Sequence, residues 1–350
     1  MTPPEVRVVA SLAEAEVAVF IVAEPSTPER PANGGLRLLP YADDQEALAD
    51  GRTLAERMTL KHRLYATGFA GGKIVARVAD PGAGKARVLA VTRALLDALE
   101  GRMLTGCDLN VSACDMQLLA RRSPYVLAAV EHPVDASTAT AQGVLTAFDR
   151  ARRVVPGGPV RRVLVHGVGA VGRVVAEGLV AAGFDVLTVD RDPSRTVPGA
   201  RVAAHPWWAE PADAHLLCSA SGLITEPIAK GLSTRLVVSG ANAPFSTRAA
   251  HDRLAAAGAL VLPDALANAG AVIVDSIEHH APVAWRRATA DGVYAFVRET
   301  VAARTDRYLD LSAAYGADLA LHLLLEEASA ARAPVGLGYR PEAPAVRAAC

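Results

Sequence analysis

The chain has 350 residues, a formal net charge of −1, 51% hydrophobic residues and 21% charged residues. That length can fill two cores, and that composition excludes a disordered chain. With 36 basic side chains against 37 acidic ones, nothing electrostatic points to nucleic acid or an anionic membrane as the partner.

No stretch reaches the roughly 20 uninterrupted apolar residues of a spanning helix. Charges break the apolar runs of the opening segment, so no secretory pattern is read there. The scattered cysteines, Cys107, Cys114, Cys218 and Cys350, read as free thiols of a reduced, cytoplasmic protein.

In chain order, "VAVFIVAE" predicts an early strand, followed by the loop "PSTPERPANGGLRLLPY". Asp43 or Asp44 can N-cap a helix running to about Ala66. Ala47, Gly51, Leu54, Met58, Lys61 and Tyr65 recur at helical spacing, which puts Lys61 on an apolar stripe. "GGKIVARV" predicts a strand, "ARVLAVTRALLDALEG" a helix, and "RMLTGCDLNV" a short β-like segment.

The charged, then Pro/Gly-rich run at 149–162 divides an N-terminal unit (1–148) from a second unit (149–310). Beyond it, "RVLVHGVG", "AVGRVVAEGLVAAG", "FDVLTVDRD", "ADAHLLCSA" and "STRLVVSGAN" alternate strand and helix, as in a parallel, doubly wound sheet. From about Gly292 the pattern is helical. Residues 311–350 are expected to pack back as a helical segment and to end in a mobile Ala/Pro-rich tail.

"HGVGAVG" supplies Gly167, Gly169 and Gly172 between a strand and a helix, with Ala170 and Val171 opening that helix. The first glycine permits a tight turn, the second lets backbone approach a pyrophosphate, and the third packs helix on strand. Asp190 ends the next strand 23 residues after Gly167, where a ribose hydroxyl needs an acceptor. A carboxylate there repels a 2′-phosphate, so NAD is favoured over NADP; Arg191 beside it partly offsets that repulsion. A second Gly-rich stretch, "GFAGGKIVARVADPG", cannot be a phosphate loop. Thr67 stands where the first glycine belongs and Ile74 where a hydroxyl belongs. Lys73 is then either a catalytic amine with a lowered pKa, with Lys61 as the neighbouring cation, or a surface lysine after a turn.

The segments "GGLRLLPYADDQEAL", "LAERMTLKHRLYATGFAGGK", "TGCD", "STATAQGV", "HGVGAVG", "VVSGANAP" and "LPDALANAGAVI" resemble, in content and order, the glutamate/leucine/phenylalanine/valine dehydrogenase family. The resemblance spans roughly residues 30 to 280, and the spacing of the two lysines and the acid is similar to that of the leucine dehydrogenase branch. It implies two α/β domains, an N-terminal substrate and oligomerisation domain and a Rossmann NAD-binding domain, with a deep cleft between them. It further implies a homo-oligomer that oxidatively deaminates an L-amino acid to the 2-oxo acid and ammonia with NAD, reversibly.

Carried over by position, Lys61 would hold the α-carboxylate, Lys73 would act as general base, and Asp108 would move the proton on the amino group. Gly34 and Gly35 would let backbone approach the substrate. Asn268 would position substrate and nicotinamide, with Thr140, Ala241 and Asn242 along the cofactor. Cys107 and Cys114, seven apart, and the adjacent His279-His280 do not match zinc spacing, so no metal is expected.

Some positions depart from the family pattern. Ala70 stands in the place of a third glycine, and Cys107-Asp108-Leu109-Asn110 in the place of Glu-Asp-Val-Gly. Asn33 occupies a position that is apolar in the leucine branch and a lysine in glutamate dehydrogenases. A buried amide there calls for a hydrogen-bonding substrate side chain, or bonds only to local backbone. No departure removes a catalytic group, so an active enzyme is expected. A reductive aminase for a non-proteinogenic amino acid and a catalytically silent nucleotide-binding protein remain the alternatives.

Overall fold

The computed structural model describes residues 5–14, 16–127 and 132–341, so the expected tail beyond 341 and Cys350 lie outside the described residues. The first unit contains β1 (Arg7–Ala13), β2 (Val17–Ala23), β3 (Ala32–Asn33), β4 (Leu36–Leu39), α1 (Asp44–Tyr65), β5 (Ala70–Val78), α2 (Lys85–Ala98), β6 (Met103–Leu104) and α3 (Ala113–Ala120). Asp43 caps α1 by accepting from the Glu46 N–H at 2.8 Å, and Ala66 ends it in the left-handed region at φ 47°. β2 is buried along its whole length because each of its faces is covered. Val17, Val19 and Ile21 pack with Val88 and Val91 of α2, while Ala18 and Phe20 pack with Ala47 of α1.

The first sheet runs β1-β2-β5-β3-β6, with β4 also paired to β5. β3 and β4 follow the same edge of β5 in parallel, Ala32 opposite Ala70 and Leu36 opposite Ile74. Gly34–Gly35 is the break between them. "RMLTGCDLNV" forms only the two-residue β6, followed by an isolated bridge from Leu36 to Cys107. A loop thus follows where a longer β-like segment was expected.

The chain continues through α4 (Ala136–Ala151), β7 (Arg162–His166), α5 (Ala170–Ala181), β8 (Asp185–Val189), β9 (Arg201–Val202), β10 (Ala214–Leu217), α6 (Glu226–Gly231), β11 (Leu236–Ser239), α7 (Arg248–Ala256) and β12 (Leu260–Val261). It then forms α8 (Asp264–Ala267), α9 (Gly270–His280), α10 (Pro282–Trp285), α11 (Ala290–Tyr315) and α12 (Ala317–Ser329). The second sheet has six strands in the order β12-β11-β10-β7-β8-β9, all parallel. Strand order reverses at β7, which is where open α/β sheets bind ligands.

Alternation sorts this sheet into two covered faces. Val163, Val165, Leu216 and Val238 share a core with α4, α5 and α11, and Leu164, Leu187, Leu217 and Val237 share another with Trp207 and Leu254. The border read at 148/149 falls in the last turn of α4, whose buried Val144, Ala147 and Phe148 join the core of the second sheet. α11 runs unbroken through 310/311, and α12 packs on both α11 and α1. No helix among the described residues is long and apolar enough to cross a membrane.

Candidate active site

Lys73 lies on β5 and is only 5% exposed. Its Nζ pairs with Asp108 Oδ2, on the loop after β6. The glycine break brings them together. A Cβ on Gly34 would stand 1.8 Å from the Gly72 carbonyl oxygen, and one on Gly35 would stand 2.5 Å from the Cys107 oxygen and 3.0 Å from Asp108 Cβ. Both glycines therefore abut protein backbone, and their bareness is what allows the Lys73 and Asp108 segments to converge.

Arg37, on β4, donates to the same Asp108 Oδ2 at 3.1 Å and to Asp50 at 3.2 Å, where the Tyr41 hydroxyl also donates at 2.5 Å. The register explains this meeting. Arg37 pairs with Val75, two residues from Lys73, so both cations project from one face of the sheet. Burial alone would push the Asp108 carboxyl up, but Lys73 and Arg37 hold it well below the ordinary carboxylate range. Burial lowers the Lys73 pKa against the pull of Asp108, and Arg37 lowers it further. The neighbouring cation acting on Lys73 is thus chiefly Arg37, whereas Lys61 had been expected.

α1 lies over this face. A Cβ on Gly71 would stand 2.1 Å from Thr59 Oγ1 and 2.3 Å from Thr59 N, so only glycine lets the helix sit this close. That contact brings in Lys61, 6% exposed, whose pKa burial lowers to about 8 against the pull of Asp264, with Lys73 adding to the lowering. The next residue, His62, is kept neutral, its pKa pushed down to about 3 by burial. Its Nε2 donates to the Asn33 carbonyl at 3.2 Å, which leaves Nδ1 to accept from the Thr67 hydroxyl at 2.7 Å. Asn33 is 1% exposed, and its Oδ1 has no partner among the described residues.

In the second unit, Gly167 follows β7 at φ +93°, and Gly169 N-caps α5. A Cβ on Gly172 would lie 1.8 Å from the Gly167 oxygen, yet among the described residues one on Gly169 would meet only the Arg195 guanidinium, at 3.8 Å. The loop is tight against its own sheet and open outward above the helix N-terminus, with Ala170 and Val171 in the first turn. This fits a dinucleotide pyrophosphate. Asp190 accepts from Val168 N at 2.6 Å and Asp192 N at 2.9 Å, and a carboxylate so bonded keeps lone pairs for a hydroxyl. Arg191 is exposed. Arg195, which the sequence did not single out, is the cation beside Asp190, 4.0 Å away.

Asn268, 4% exposed, donates to the Ala241 carbonyl and to Asn242 Oδ1, both at 3.2 Å, and its own Oδ1 has no partner among the described residues. Thr140 reaches the same place because α4 packs on the start of α9. A Cβ on Gly270 would sit 2.0 Å from the Ala139 oxygen and 2.6 Å from Thr140 N. Asp264 joins the halves. Its Oδ2 accepts from Ala243 N at 2.7 Å, its Oδ1 lies 3.8 Å from Arg57, and its charge acts on Lys61. Arg37 and Asp264 were missed in the sequence; the signal available was a charge inside an otherwise apolar strand ("LRLL") and inside a buried turn ("LPDAL").

Two buried lysines and an aspartate on one unit, and an outward-facing glycine loop on the other, define a two-domain oxidoreductase that uses a nicotinamide cofactor. Residues 6–132 match the family model for the Glu/Leu/Phe/Val dehydrogenase dimerisation domain, and residues 191–333 match that for Glutamate/Leucine/Phenylalanine/Valine dehydrogenase. The chain belongs to the glutamate/leucine/phenylalanine/valine dehydrogenase family and is an amino acid dehydrogenase. It is 30% identical to the valine dehydrogenase of Streptomyces albus, over 74% of this chain and 76% of that one. It is also 30% identical to the phenylalanine dehydrogenase of Caldalkalibacillus thermarum, over 75% of each. Its fold is similar to that of the hetero-hexameric glutamate dehydrogenase of Thermus thermophilus, at a TM-score of 0.77 and 22% identity over 93% of this chain and 88% of that one.

Proposed function

We propose that this chain catalyses the reversible, NAD-dependent oxidative deamination of an L-amino acid, with Lys61, Lys73 and Asp108 as its working groups. The observation that carries the assignment of roles is the Lys73–Asp108 pair, buried beside Lys61. Lys61, with its ammonium kept in a dry pocket, binds the substrate α-carboxylate. Lys73, its pKa lowered by burial, takes a proton from the water that attacks the substrate imine. Asp108, acceptor-only while ionised, receives the proton passed between water and the departing nitrogen.

A bound nicotinamide supplies the hydride acceptor. Gly167, Gly169 and Gly172, with the first turn at Ala170 and Val171, hold the pyrophosphate, and Asp190 holds the ribose hydroxyls, with Arg191 at the rim. Asn268, Thr140, Ala241 and Asn242 orient the nicotinamide end. NAD is favoured because Asp190 repels a 2′-phosphate, although Arg195 beside it weakens that repulsion. We also infer a homo-oligomer in the cytoplasm. The dimerisation-domain match and the outer edge of β1, which has no strand partner among the described residues, support the assembly.

NADH formation at alkaline pH, followed over a panel of L-amino acids with NAD and with NADP, tests the whole reading. The wild type should turn over at least one amino acid with NAD, and Lys73→Ala should lower kcat by about 100-fold or more while leaving NAD binding in place. NAD binding without turnover of any substrate would favour the silent nucleotide-binding alternative.

A further inference from the structure

Glu24 directly follows β2 and is only 4% exposed. The register that sets Val22 against Lys73 and Ala23 against Gly72 brings Glu24 opposite Gly71, two residues before Lys73. Its N–H donates to the Gly71 carbonyl at 2.9 Å, as in an antiparallel ladder. The return bond is made differently, because the Gly71 N–H donates at 2.9 Å to a side-chain oxygen, Glu24 Oε2. The other oxygen, Oε1, accepts from the Arg63 guanidinium of α1 at 2.6 Å, and Arg30 lies 4.0 Å from Oε2. One buried carboxylate therefore holds β5 with one oxygen and α1 with the other.

This bracket falls where packing is least able to fix the helix. Gly71 offers α1 no side chain, and the helix backbone at Thr59 lies directly against it. Interlocking side chains resist the sliding of one element along another, and a bare glycine gives nothing to lock against. Hydrogen bonds are directional, so Glu24 supplies the restraint that contact shape does not. At the far ends of the two elements Arg77 pairs with Asp44 at 2.6 Å, but the Asp44 side chain is 42% exposed and such a pair restrains little. Lys61 and Arg63 leave α1 about 200° apart, so Glu24 acts on Lys61 through the helix, as it acts on Lys73 through the strand.

We propose that Glu24 is a positioning residue of the amino-acid site: by bracketing Gly71 and Arg63 it sets where Lys61 stands relative to Lys73. It touches no reactant and exchanges no proton. This role rests on the dehydrogenase reading above, in which Lys61 holds the α-carboxylate and Lys73 is the base. The two arms have separate consequences. The Arg63 arm holds the helix of Lys61 and bears on substrate binding, whereas the Gly71 arm holds the strand of Lys73 and bears on the chemical step.

The test uses the amino acid that the wild type turns over best with NAD, in Arg63→Met, Glu24→Gln and Glu24→Ala, each assayed below its thermal midpoint. Arg63→Met releases the helix arm alone. Glu24→Gln does the same, since its one amide oxygen serves the Gly71 N–H and its NH2 group turns to Arg63. Both should raise KM for the amino acid about tenfold and change kcat by less than about threefold. Glu24→Ala releases both arms and should in addition lower kcat by about tenfold or more. NADH affinity, read by fluorescence titration, should stay within about twofold of wild type in all three, because the cofactor loop belongs to the other unit. A residue that serves folding alone would lower the thermal midpoint and leave KM in place. KM within about twofold of wild type in both Arg63→Met and Glu24→Gln would overturn the positioning role and leave the dehydrogenase reading standing, whether or not Glu24→Ala folds. Absence of wild-type turnover on every amino acid with either cofactor would overturn both.

Discussion

Lys73 and Lys61 are both nearly fully buried, but they keep different company. Lys73 shares Asp108 with Arg37, so one carboxylate faces two cations, while Lys61 is held by the more distant charge of Asp264. Arg37 has two effects that a mutant separates. It repels the charged form of Lys73 and stabilises the charged form of Asp108. Removing it should raise the pKa of both groups. If Lys73 works as a base, the limb of the pH profile that climbs with pH reports its deprotonation and should move to higher pH in Arg37→Met. Activity at pH 8 should fall by about tenfold or more. The pH dependence of kcat/KM checks this; a limb that stays in place or moves to lower pH would remove Arg37 from the tuning of Lys73.

At the scale of elements, the site depends on how closely α1 can lie on β5. Gly71 faces the backbone of Thr59, so the helix carrying Lys61 rests on a position with no side chain. Gly71→Ala should destabilise the fold by about 1–3 kcal/mol and raise KM as Lys61 is displaced. Thr59→Ala should not rescue it, because the Thr59 backbone N at 2.3 Å remains in the way; thermal midpoints of the single and double variants decide the point.

Features fixed by local periodicity and motif were legible in the sequence: α1 and its cap, β5, the Gly167–Gly172 loop and the carboxylate ending β8. Arg37 and Asp264 were not. Their neighbours are set by strand register and helix packing between segments far apart in the chain, which no local pattern encodes. Gly34 and Gly35 were legible as important, but the backbone that they abut, Gly72 and Cys107, became visible only once β3, β4 and β5 were paired.

Across the whole molecule, α1 and the turn after it meet α8 and α9 of the second unit: the Tyr65 hydroxyl donates to the Leu266 carbonyl at 2.6 Å, and the Ser276 hydroxyl donates to the Thr67 carbonyl at 2.7 Å. α1 and α9 also carry Lys61 and Asp275, so ionisable groups sit where packing would prefer apolar ones. Burial pushes Asp275 up to about 8, with Glu278 adding to it, from an ordinary value of 3.8. Between those values the unfolded chain ionises while the folded one stays protonated. Its contribution to stability is therefore complete below about pH 4 and is lost as pH rises towards 8. Lys61 titrates in the folded protein at about 8 against an ordinary 10.5, so its burial penalty is full below pH 8 and fades between the two. In the cofactor-free protein, Asp275→Asn should gain thermal midpoint over the wild type progressively from pH 4 to pH 8 and level off above. Lys61→Met should instead gain most below pH 8 and lose that advantage towards pH 10.5. Midpoint curves of all three proteins running parallel across this range would show that neither group costs the fold anything. Divergence in these two separate windows would show that each of the two groups is maintained against packing.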